Sequence, residues 1–447
     1  MEWRKKYGDI YTMYIGMQPL IVINSFEKAY KYIVKEGDVF SGRSVNAFNL
    51  IIRGGDYGII DTEGPLWLEH RRFALKVFRE FGMSKTQMED RVLAEVEYIF
   101  DRIDQDIQLK PDDINVEHYT DIAVGSVINA VVCGYRYTDG KEHEFYRLKE
   151  ILGSSNESLA NIFGLFVMFN AQIFKIPGFK FIEKYIENSF GTVMKHLHNE
   201  IKRHLDENDY NNESMEAKDY IDAYLLEKFR LERNGETDHT FTDQQLVNVC
   251  LDLWIAGQET TSVTLAWAIS HLVAHPEVQK RAHEELDRVI GPNRLITMAD
   301  RKDLHYINAI VHESQRCGNI IAINLTRKTS EDIVMDGMLI KKGSVVVPQV
   351  SVIMNDPEAF PEPEKFKPKR FLDESGKFRQ IEQMIPFSLG KRACLGEGLA
   401  RMELFLITAN LLNRYRLSAG RTPPTLRKVA GMMPKTHPFT CRVEKRH

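Results

Sequence analysis

Cysteine is scarce, with five residues in a chain of 447. Cys133, Cys250, Cys317, Cys394 and Cys441 are odd in number, widely scattered and never paired as C-x-x-C. That excludes a disulfide framework and a zinc ribbon, and it suits a reducing compartment. A long apolar run is also missing: no stretch of about 18 apolar residues could span a bilayer. No signal peptide is visible at the start, and no long basic tract marks a nucleic-acid protein. No nicotinamide or flavin fingerprint appears. His312-Glu313 begins a zincin motif, but Arg316 stands where the second histidine is required. What remains is a near-neutral chain of net charge −4 with 43% hydrophobic residues, enough for one large domain or two ordinary ones.

The densest signal is Phe387-Ser388-Leu389-Gly390-Lys391-Arg392-Ala393-Cys394-Leu395-Gly396, followed by an amphipathic helical run from Glu397 to about Tyr415. A cysteine at a helix start meets free N–H groups and the positive end of the dipole, which favour a thiolate. Gly390 and Gly396 allow a tight turn and close approach to a flat ligand. Phe387 can cover the sulfur, and Arg392 offers a fixed cation. This suits a loop holding haem iron by a thiolate. The pattern Phe-x-x-Gly-x-Arg-x-Cys-x-Gly arises by chance in a chain this long on the order of once in ten thousand.

With that pattern the chain resembles the cytochrome P-450 superfamily, and three further motifs occur in the family's order. Trp67 and Arg71 share a face of a helix over Trp67 to Glu80, and match a W-x-x-x-R pair that contacts a haem propionate. Thr242 and Gln245 read as a capping box. It opens a helix that runs to about Ala274 and ends at His275-Pro276. In its middle, Ala256-Gly257-Gln258-Glu259-Thr260-Thr261 matches the oxygen-activating A-G-x-[DE]-T motif. The resemblance implies that Thr260 and Glu259 deliver protons, and it places Ala256 against the cofactor. The expectation is that the Thr260 hydroxyl bonds a carbonyl one turn back and opens the helix locally. Small residues for helix contact form the competing explanation of Gly257. Glu313 and Arg316 match E-x-x-R, with Arg370 from Phe366-Lys367-Pro368-Lys369-Arg370-Phe371 as third member of a structural network.

The remaining periodicity gives two short strands, Ile10 to Ile15 and Leu20 to Ile23, then a helix from Phe26 to Glu36. An apolar, glycine-rich loop from Phe40 to Gly64 holds Arg43, a further candidate for the cofactor. Residues 84 to 158 read as mainly helical. Asn161 to Phe181 is crowded with aromatics, either core or a lid touching a membrane surface. Helices follow over Pro276 to Gly291 and Asp303 to Cys317, then strand-like runs over Asp332 to Ile340 and Gly343 to Pro348. Arg327 stands where relatives often carry a propionate-contacting histidine. Ile255 either leans over the oxygen space or packs on a neighbouring helix.

The resemblance implies a mainly α fold with small β-sheets (α+β) in one catalytic domain over residues 1–447. It implies haem b, iron protoporphyrin IX, between the long central helix and the Cys394 loop. The implied activity is a monooxygenase acting on a lipophilic small molecule. Its electrons would come from NADPH through a separate cytochrome P-450 reductase, with cytochrome b5 as a second donor and no nucleic-acid partner. Arg72, Lys76, Arg79 and Lys391 are candidates for the reductase face. Microsomal members sit on the cytosolic face of the endoplasmic reticulum membrane through an N-terminal anchor; this chain opens at Met1 to Gly8, already globular in character. Two other readings stay open: a non-catalytic haem- or lipid-binding relative, and a reductase-independent haem isomerase or dehydratase. The intact Glu259-Thr260 pair speaks against both.

Overall fold

The computed structural model describes residues 2–44, 49–82, 86–159, 180–212, 214–292, 294–429, 431 and 433–447. A short helix α1 (Glu2–Tyr7) leads into strands β1 (Ile10–Ile15) and β2 (Gln18–Ile23). Helix α2 (Phe26–Ala29), capped by Ser25, continues as a π-helical stretch over Tyr30–Lys35. Then come α3 (Gly64–Glu80), α4 (Thr86–Leu109), α5 (Val116–Cys133), α6 (Glu142–Leu159), α7 (Lys180–Glu207) and α8 (Tyr220–Arg233). The aromatic stretch expected as core or lid falls almost wholly on residues 160–179, outside the described residues.

Helix α9 (Asp243–Ala274) has 32 residues, about 48 Å at ~1.5 Å per residue. It is buried on nearly every side, as a helix apolar all round must be. Its cap differs from the expected box. The Thr242 hydroxyl accepts from the Gln245 N–H at 3.2 Å, but the Gln245 side chain turns away and pairs twice with the Gly58 backbone, at 2.8 and 3.1 Å. A buried partner outcompeted the exposed cap. Pro276 stops the helix and starts α10 (Pro276–Val289). Helix α11 (His305–Gly318) ends on Asn319 at φ 43°.

Strands β3 (Arg327–Lys328) and β6 (Val345–Pro348) complete a four-stranded sheet in the order β1-β2-β6-β3, with β2 and β6 parallel. The expected run over 332–340 is instead a hairpin of β4 (Ile333–Met335) and β5 (Met338–Ile340). Asp336 and Gly337, both at positive φ, make its turn. Helices α12 (Val350–Ile353) and α13 (Glu397–Arg414) follow, and β7 (Tyr415–Ala419) pairs with β8 (Cys441–Lys445). One large core joins helices α3 to α11 and α13, and a smaller one lies under the sheet. The long-helix contacts are close: a Cβ at Gly257 would meet Ile128 of α5 at 2.6 Å. Gly257 is therefore a packing glycine, as helix contact requires.

Candidate cofactor pocket

The Cys394 loop is closed by its own backbone. The Cys394 N–H donates to the Phe387 carbonyl at 2.9 Å, and Ala393 N–H donates to Gly390 at 3.0 Å. Gly390 sits at φ 72°, and a Cβ there would strike the Ile33 carbonyl at 2.1 Å, so the turn requires glycine. Gly396 has an ordinary φ of −88° and would meet nothing with a Cβ, so the protein's own atoms do not demand glycine there. The sulfur receives backbone N–H groups of Gly396 and Glu397 at the start of α13. Even so, burial pushes the Cys394 thiol above its ordinary range, against those N–H groups and Arg71. The helix start alone does not hold a thiolate; a coordinated metal cation would. Cys394 is crowded by protein yet accessible, as befits a side chain opening onto an interior space.

Four guanidinium groups converge beside this loop. Arg71 donates to the Ala393 carbonyl at 2.6 Å. Arg392 donates to the carbonyls of Ser41 at 2.7 Å and Thr62 at 2.6 Å, and lies 3.7 Å from the centre of the Trp67 ring. Arg43 donates to Ile60 at 2.9 Å and to Thr326, and Arg327 to Leu389 at 2.6 Å. Burial pushes Arg43 down to about 10. Burial and the neighbouring arginines push Arg327 to about 9 and Arg392 to about 8. Arg327 Nε and Nη1, Arg392 Nη1 and Trp67 Nε1 are buried donors without a partner. Each such donor costs about 1–3 kcal/mol, more when charged. Glu63 and Asp61 lie nearby, but Glu63 is engaged by Lys328 Nζ at 2.6 Å and the Arg43 N–H at 2.8 Å. The donor set fits a group carrying more than one carboxylate, as a haem does.

On α9 a single face escapes burial. Ile255, Ala256, Gly257 and Thr260 are accessible while their neighbours are buried. The Thr260 hydroxyl donates to the Ala256 carbonyl at 2.8 Å. The α-helix nonetheless runs unbroken through this turn, so the expected local opening is absent. Ile255 packs in part against the main core. Glu259 points elsewhere and is buried. Its carboxylate lies 2.9 Å from Lys435 Nζ and 3.8 Å from Lys149 Nζ. Burial pushes this carboxyl up, but the two lysines outweigh it and hold Glu259 below its usual range.

The third cluster is complete. Glu313 and Arg316 are wholly buried and paired at 2.7 Å, and Arg370 Nε donates to Glu313 at 3.0 Å. The Lys367 N–H adds a bond at 2.8 Å. Arg316 also donates to the Lys365 carbonyl at 3.2 Å, so the network ties α11 to the segment leading to the cysteine loop.

Sequence reasoning missed several partners. Lys149 and Lys435 carried no motif and lie far from Glu259 in the chain. Arg53 and Asp252 form a buried ion pair, and Asp252 accepts from the N–H groups of Ile59 at 2.7 Å and Ile60 at 3.0 Å. Together with Gln245 they stitch the glycine-rich loop to α9. Only an acid on an otherwise apolar helix could have signalled Asp252.

A family model described as Cytochrome P450 matches residues 1–441. Cytochrome P450 2B19 of Mus musculus is 33% identical over 429 residues, covering 95% of this chain and 84% of that protein. Cytochrome P450 2H2 of Gallus gallus is 35% identical over 422 residues, 93% and 82%. Cytochrome P450 2A6 of Homo sapiens is 32% identical over 425 residues, 95% and 83%. With a match across nearly its whole length, the chain belongs to the cytochrome P450 family, the haem-iron monooxygenases.

Proposed function

We propose that residues 1–447 form one catalytic domain that inserts an oxygen atom from dioxygen into a lipophilic small molecule, and that the Cys394 sulfur would hold the iron of a bound haem b. The convergence of unpartnered guanidinium and indole donors beside Cys394 carries this reading. In it, Trp67, Arg71, Arg43, Arg327 and Arg392 would hold the propionates of the haem, Phe387 would shield the Cys394 sulfur, and Ala256 would contact the cofactor. The sequence has no C-x-x-C-H attachment site, which favours haem b over a covalently held haem. When bound, the haem supplies dioxygen binding and oxygen transfer.

The protein's own work is to admit protons sparingly. Thr260 presents the hydroxyl on the open face of α9. Glu259, ion-paired to Lys435 and Lys149, acts as a second proton-handling group only when freed from that pair. Glu313, Arg316 and Arg370 brace the cysteine side. Ile323 and Leu325 are half-exposed just before Arg327 and suit a lipophilic substrate. Electrons come from NADPH through a cytochrome P-450 reductase, with cytochrome b5 as an accessory donor. The endoplasmic reticulum surface is the proposed location. No helix among the described residues is long and apolar enough to cross a membrane.

The deciding experiment is spectroscopic. Reduced, CO-bound protein should show the red-shifted Soret band of thiolate ligation. Cys394→Ser should lose it and Cys317→Ser should keep it. A thiolate band surviving in Cys394→Ser would remove Cys394 from the iron.

A further inference from the structure

Helix α13 carries an arginine that the proposed chemistry leaves unused. Arg401 Nε lies 2.8 Å from Glu397 Oε1, and its guanidinium stands 4.9 Å from the centre of the Phe387 ring. Its Nη1 lies 3.1 Å from His312 Nε2. The other ring nitrogen, Nδ1, is 2.8 Å from the Asn308 carbonyl, so Nδ1 carries the proton and Nε2 accepts from Arg401. Burial keeps this imidazole neutral, lowering it to about 4.

Phe387 and Glu397 are not arbitrary neighbours. The Phe387 carbonyl accepts the Cys394 N–H, and the Glu397 N–H donates to the Cys394 sulfur. Arg401 therefore grips both flanks of the cysteine loop and ties them to α11. There His312 adjoins Glu313, the hub of the buried ion network. A cation stacked on an aromatic face is worth about 0.5–1 kcal/mol when exposed and ~2 when desolvated; Arg401 is 21% exposed, between those limits.

We infer that Arg401 is a positioning residue that holds Phe387 and the N–H donor of Glu397 around the Cys394 sulfur, and so tunes how strongly that sulfur donates to the iron. The inference rests on Cys394 being the ligand. Hydrogen bonds to a ligand sulfur and a nearby cation both withdraw electron density, which favours the reduced metal. Loosening the clamp should favour the oxidised one.

The test uses the isolated haem-loaded protein with no redox partner, so a docking role cannot contribute. Arg401→Gln should shift the ferric/ferrous equilibrium about three- to tenfold toward ferric, tenfold being 59 mV for one electron. It should also raise the share of reduced CO complex lacking the thiolate band. Arg401→Lys, which keeps the charge but not the planar fork, should recover part of the shift. A parent-like potential and parent-like spectrum in Arg401→Gln would overturn the clamp alone. If the unsubstituted protein lacks the thiolate band, the ligand assignment fails first and the clamp falls with it. Should Arg401→Gln hold too little haem to titrate, Arg401→Lys takes its place: it keeps the charge and loses the planar fork, so a smaller shift toward ferric supports the clamp and an unchanged potential sinks it.

Discussion

Glu403 shows what a single residue hides in a one-dimensional pattern. It reads as a polar break in the Arg401 to Ile407 stretch, yet it is buried among α13, α9 and α4. Burial raises its carboxyl to about 8, with the Thr261 hydroxyl as the main offset, and Oε1 has no partner. The folded chain thus keeps a proton that the unfolded chain releases near pH ~4.3. Its contribution to stability is complete below that value and falls as pH rises toward about 8. Glu403→Gln cannot ionise, so it should gain on the parent between pH 5 and 8. The gain approaches ~1.4 kcal/mol per pH unit over the middle of that range. Denaturant melts at several pH values measure it, and a constant gap would show that the parent carboxyl is already ionised at pH 5. The cysteine is the opposite case. The Cys394 loop stood out because Phe387, Gly390, Arg392 and Gly396 form a local pattern, whereas no motif includes Glu403, and a carboxylate beside an apolar run reads as the solvent side of its helix.

At the scale of elements, periodicity located the long helices and missed their fine register. Helix α9 was readable from Thr242 to His275 because a cap, an apolar run and a proline mark it in sequence. The hairpin at 336–337 was not separated from its strands, since an Asp-Gly turn adds no length to an apolar run. The E-x-x-R element is the one with most energy at stake. Glu313 balances two guanidinium groups, so Glu313→Gln should cost about 3–5 kcal/mol by leaving buried Arg316 uncompensated. Arg370→Ala should cost less, because Glu313 keeps Arg316 at 2.7 Å and the Lys367 N–H at 2.8 Å. Equilibrium unfolding of both variants decides the order; equal losses would deny Glu313 the central role in the network, and a larger loss for Arg370→Ala would give that role to Arg370.

For the whole molecule, a net charge of −4 conceals an uneven surface. On α3, Arg72, Lys76 and Arg79 are exposed, while Arg71 turns inward to the Ala393 carbonyl. Lys391 is also exposed but is paired with Asp38, so it contributes less to that face. An acidic redox partner would be steered to α3, and salt should slow its arrival once the Debye length falls toward ~10 Å at 0.1 M. Reversing Lys76 and Arg79 to glutamate should slow first-electron transfer and flatten its salt dependence in stopped-flow reduction. An unchanged rate and slope would place docking elsewhere. The family, the helical character and the cysteine loop proposed to hold the iron were all within reach of local pattern, because each rests on residues a few positions apart. Which arginines face inward, why Gly257 has no side chain, and the ion pairing of Glu259 with Lys149 and Lys435 came only with the fold. Those outcomes depend on which distant segments meet and how much water they exclude, and neither quantity is written in the spacing of neighbouring residues.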